Sequence, residues 1–160
     1  MWRVFLLLLV TPFTQLLCAG MGCRGCRLIA CTWLPCTVIL FTASTLLGGQ
    51  RGLARAAGWL LAGSALFAAT ASVACLASSL WSTPRYAVFA SEAALALYYT
   101  AVALLELHTA RSSEVRHVAA FALATLALSM LAKPPLHQLI LTLSLLTGSL
   151  AAKLAGTPAR

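Results

Sequence analysis

Arg85, Glu92, Tyr99 and Glu106 recur at intervals of seven residues within one apolar stretch. On an α-helix a step of seven residues drifts by only about 20°, so the four share a stripe. Glu92 lies about two turns beyond Arg85. An ionised carboxylate facing lipid costs several kcal/mol, so Glu92 is expected to face other helices, carry a proton or find a partner. One reading makes the stripe a proton or cation pathway, or a polar ligand site, lined by Glu92 and Tyr99. The plainer reading leaves Arg85 and Glu106 as anchors at the helix ends, with Glu106 at the cytoplasmic interface near Arg111 and Glu92 as a polar contact between helices. The other apolar stretches hold no carboxylate, which weighs against a coupled transporter.

The cysteines form a second grouping. Cys18, Cys23, Cys26, Cys31 and Cys36 cluster near the N-terminus, and Cys75 stands apart. Cys23-Arg24-Gly25-Cys26 is a C-x-x-C flanked by positive charge, an environment that favours a reactive thiolate. On the lumenal side of a membrane the pair reads as a structural disulfide, an exchange-active dithiol or two idle thiols. On the cytoplasmic side Cys23 and Cys26 read as lipidation sites. A zinc site needs four ligands, and no second C-x-x-C supplies them; no metal or other cofactor is expected. No nucleophile elbow, zincin helix or phosphate loop occurs, and the chain has no Asp, so no catalytic signature is present.

The elements that position these residues are set by composition. Hydrophobic residues make up 61% of the chain and charged residues 9%, against roughly 25% charged in soluble domains. Apolar blocks of about 15 to 25 residues are long enough to cross a hydrocarbon core of roughly 30 Å. Ala and Leu dominate them, favouring helices over a membrane barrel. The expected fold is therefore all-α: a polytopic transmembrane bundle of about five to six short spans.

The blocks are 28–47, 56–80, 85–107, 118–132 and 136–154, within a single membrane domain covering 21–160. Residues 1–20 read either as a signal peptide or as an uncleaved first span. Thr11-Pro12 interrupts their apolar run and Cys18 and Gly20 suit a cleavage site, which favours cleavage. Thr83 and Pro84 read as the cap and first residue of the third clear span, with Trp81 as an interface anchor. Lys133-Pro134-Pro135 stops a block of only 15 residues, which either crosses fully or falls short of the far side. In the second clear span Ser64, Ala68 and Ser72, and likewise Ala71 and Cys75, fall four residues apart, the spacing that allows close helix approach.

Net charge is +8, but Arg and Lys stand singly or in pairs between apolar blocks, as topology determinants do rather than nucleic-acid contacts. With one crossing per block, Arg3, Arg51, Arg55, Arg111, Arg116, Lys153 and Arg160 share one side. Arg24, Arg27, Arg85 and Lys133 take the other. The richer side is expected in the cytoplasm, with the C-terminus, and Met21–Arg27 outside or in a lumen of the secretory pathway or at the plasma membrane. The expected partners are the lipid bilayer and other membrane proteins.

Three functions compete. A non-enzymatic protein acting through helix contacts, as accessory subunit, scaffold or assembly factor, suits the small loops and sparse polar chemistry. A small channel or transporter would use the Glu92–Tyr99 stripe. A membrane thiol-redox enzyme would use Cys23 and Cys26.

Overall fold

Long runs of Ala and Leu leave the backbone no polar partner but itself, and the chain answers with helices. The computed structural model describes residues 1–78, 84–110, 115–133 and 136–156. The helices are α1 (Trp2–Leu8), α2 (Val10–Gly20), α3 (Cys26–Gly48), α4 (Leu53–Ala77), α5 (Arg85–Thr109), α6 (Arg116–Leu131) and α7 (Leu136–Ala155), with no strand among the described residues. Five stretches are long and apolar enough to cross a membrane: α1 with α2 as one, then α3, α4, α5 and α7. The sixteen residues of α6 are fewer. Trp81, Thr83, Arg111, Glu114, Pro134-Pro135 and Arg160 lie outside the described residues.

Helix starts follow the glycines that can turn the chain. Gly25 (φ 55°) and Gly52 (φ 62°) stand immediately before α3 and α4 in a backbone region that other residues rarely adopt. Gly52 accordingly opens α4 at Leu53, three residues before the apolar block begins.

Pro12 explains how the N-terminal helices join the bundle. Having no N–H, it cannot donate to the carbonyl four residues earlier, which belongs to Leu8. The Tyr98 hydroxyl of α5 donates to that carbonyl at 2.9 Å, and Tyr98 is completely buried. Lower down, Phe5 is equally buried and lies against Gly148 of α7, where a Cβ would come within 2.8 Å of the ring.

The small residues of α4 are used inside the molecule. Ser64, Ala68 and Ser72 are fully buried, and the Ser64 hydroxyl donates to the Ala94 carbonyl of α5 at 2.7 Å. On the other flank, a Cβ at Gly58 would meet the Leu47 Cβ of α3 at 3.0 Å. Close backbone approach thus packs α4 between α3 and α5.

The register of the last hairpin is fixed by two side-chain pairs. Tyr99 bonds to His137, and Glu106 to Ser144, each joining α5 to α7 across 38 positions. His137 is the second residue of α7, whereas Tyr99 is fourteen residues past the start of α5. At 1.5 Å per residue, α7 begins about 20 Å further along than α5. Trp33 of α3 bonds to Ser91 of α5 at 2.7 Å, so those two helices start at nearly the same level. The end of α6 and the start of α7 therefore stop short of the level where α3 and α5 begin.

Candidate functional site

The recessed hairpin divides the stripe on α5. Tyr99 and Glu106 lie where α7 covers them and are buried at 5% and 0% exposure. Arg85 and Glu92 lie beyond the hairpin turn and are exposed. Of the three fates expected for Glu92, packing against the chain's own helices is the one its exposure removes, because the helix that would cover it does not reach its level. Glu106 is enclosed by the helices three residues before the end of α5, and its expected neighbour Arg111 lies outside the described residues. Glu92 has no hydrogen bond or ion pair among the described residues.

Two buried polar nodes occupy the covered half. In the first, the Tyr99 hydroxyl lies 2.9 Å from His137 Nε2, and His137 Nδ1 lies 2.8 Å from the Ser129 carbonyl. A carbonyl only accepts, so Nδ1 carries the hydrogen and Nε2 accepts from Tyr99. This node ties the end of α6 and the start of α7 to the middle of α5.

In the second node, the Ser144 hydroxyl lies 2.7 Å from Glu106 Oε1 and 3.0 Å from the Ala122 carbonyl of α6. Serine has a single hydrogen to donate. Both contacts close at once when the carboxyl donates to Ser144 and Ser144 donates to Ala122. Glu106 Oε2 is buried without a partner.

Beyond the hairpin turn lies a cavity of about 420 Å³, bordered by residues of α2, α3, α5 and α7 together with Ala132. Ser91 and Leu95 of α5, Thr32 and Trp33 of α3, and His137 and Gln138 of α7 contribute to its wall.

The C-x-x-C does not close on itself. Cys26 forms a disulfide with Cys75, with Cα atoms 5.0 Å apart, and Cys18 forms one with Cys31 at 6.4 Å. The turn at Gly25 places Cys26 at the start of α3, where its side chain is buried against the end of α4, and Cys23 keeps a free, half-buried thiol. Both disulfides sit at the end of the molecule where α3 and α5 begin. Among the described residues, no group of three or more His, Cys, Asp or Glu is placed to hold a metal ion.

His137, Ser144, Tyr98 and the Thr32–Gln138 pair were not singled out from the sequence. Only Tyr98 had a local signal, since Pro12 leaves a carbonyl that needs a donor. The 38-residue offset that pairs α5 with α7 has no counterpart in local periodicity. No family model, no curated protein and no solved structure matches the chain.

Proposed function

We propose that the chain is a non-enzymatic multi-pass membrane protein that works by helix contact, as the accessory or assembly subunit of another membrane protein. The observation that carries this reading is Glu92, exposed on α5 without a partner and about 10 Å along the helix from Arg85. A carboxylate at such depth costs about 2.5–3.5 kcal/mol toward the bilayer centre, and a neighbouring helix removes that cost by pairing with it. Ala96 and Thr100 follow at four-residue spacing and are also exposed, so a partner backbone can approach closely. A second copy related by a two-fold axis along the membrane normal would set Glu92 against Glu92. The fitting partner is instead a different protein, with a cationic or hydrogen-bond-donating side chain in a transmembrane helix.

Two features support a topology for this reading. Disulfides persist in oxidising compartments, so the end bearing Cys18–Cys31 and Cys26–Cys75 faces a lumen or the cell exterior, and the C-terminus is cytoplasmic. The positive-charge bias points the same way. This reading keeps residues 1–20 as a first span rather than a cleaved signal peptide, which the partners of Cys18, Leu8 and Phe5 in the rest of the bundle support.

The test is photo-crosslinking in intact membranes from a reactive amino acid placed at Ala96 or Thr100. The expected product is one partner, attached through a transmembrane segment bearing Lys, Arg, Asn or Gln, and lost in Glu92→Leu. Cross-links to lipid alone, or an adduct indifferent to Glu92→Leu, would refute the proposal.

A further inference from the structure

We propose that the cavity beyond the α6–α7 turn binds a neutral, hydroxyl-bearing amphiphile, a membrane alcohol of the sterol or acylglycerol kind. This inference is independent of the Glu92 face. The cavity measures about 420 Å³, within the roughly 300–1,000 Å³ of small-molecule sites.

Its wall contains two polar side chains whose oxygens have nothing to bond to. Thr32 is 3% exposed and Gln138 is 9% exposed, and Thr32 Oγ1 and Gln138 Oε1 are buried without hydrogen-bond partners. Buried oxygens are almost always satisfied, and the exceptions call for a missing donor. Thr32 and Gln138 come from different helices, α3 and α7, and border the same space. Both oxygens are enclosed, so each side chain must turn toward the space to meet an entering hydroxyl, which then supplies the donor that Gln138 Oε1 lacks and an acceptor or donor for Thr32. Ser91 adds a third group: it accepts from the Trp33 indole at 2.7 Å and keeps its own hydrogen to give. His137 does not compete, because both ring nitrogens are engaged by Tyr99 and Ser129.

The remaining wall selects against charge. Among the described residues no charged side chain borders the cavity, and Leu28, Ile29 and Leu95 give it an apolar flank. An ionic headgroup there would be desolvated without compensation. A mostly apolar molecule with one or two neutral hydroxyls matches both parts of the wall.

The full chain, reconstituted in lipid nanodiscs, is to be exposed to a photoreactive sterol, a photoreactive diacylglycerol and the deoxy analogue of each. Saturable labelling within 28–33 or 132–140 by either alcohol, exceeding that by its deoxy analogue, is expected, and the probe that labels identifies the source. Thr32→Val with Gln138→Leu should lower labelling by about tenfold, as for lost hydrogen bonds to a bound ligand. Leu95→Trp, which fills the cavity and leaves the polar pair intact, should abolish it. Equal labelling by alcohols and deoxy analogues overturns the proposal. So does labelling unchanged in Leu95→Trp, a result that stands even where the double variant fails to fold.

Discussion

Glu106 and Tyr98 are buried polar side chains that hold specific helices together, and each role fixes how a substitution behaves. Glu106→Gln keeps a hydrogen-bonding group beside Ser144 and is expected to leave the protein folded, whereas Glu106→Ala removes it. Ser144 keeps the Ala122 carbonyl, but the alanine variant loses one buried hydrogen bond and leaves a void, and should be destabilised by about 1–3 kcal/mol, as read from thermal unfolding in mild detergent. Tyr98→Phe strands the Leu8 carbonyl and should cost a similar amount. The Pro12 account is sharper than either magnitude. In a Pro12→Ala background the helix regains its own donor to Leu8, so Tyr98→Phe should cost less there than in the natural sequence, by a double-mutant cycle. Equal costs in both backgrounds would mean that Tyr98 does not serve the carbonyl Pro12 frees. The nearby thiols make a separate prediction. Peptide mapping without reduction should recover Cys18 joined to Cys31 and Cys26 joined to Cys75, with Cys23 open to alkylation.

Among the helices, the short reach of the α6–α7 hairpin has the widest consequences, because it leaves Glu92 uncovered and makes room for the cavity. Cysteines introduced at Leu95 and Ala132, which border one cavity, should join through a short bifunctional reagent. Cysteines at Tyr86 and Ala132 should not, although a fully crossing hairpin would bring those two level. The contact between Phe5 and Gly148 belongs to the same scale: Gly148→Leu should displace α1 and destabilise the bundle, since a Cβ alone already meets the ring. These relations also show where sequence reading stops. The apolar blocks and the fifteen-residue length of 118–132 carry the helices and raise the question of a short hairpin. Heptad spacing places Arg85, Glu92, Tyr99 and Glu106 on one stripe. Which part of the stripe is covered depends on the register between α5 and α7, set by contacts 38 residues apart. The local C-x-x-C spacing leaves the fate of Cys23 and Cys26 open for a similar reason, because Cys26 is paired with Cys75 from the end of another helix.

At the scale of the whole molecule, composition sufficed for the class, and the arrangement of helices adds an asymmetry. One half of α5 is enclosed by α7 and carries two buried polar nodes; the other half leaves a carboxylate at the surface, near the end where both disulfides lie. The proposed docking on another helix gives that carboxylate a partner, and it joins the proposed topology, the proposed retention of residues 1–20 and the exposed Glu92 into one account. Native mass spectrometry of the protein released gently from its own membranes tests that account most directly. A stoichiometric complex with a different membrane protein is expected for the natural sequence, reduced to the single chain in Glu92→Leu. A natural protein that emerges alone, with residues 1–20 removed, would contradict it.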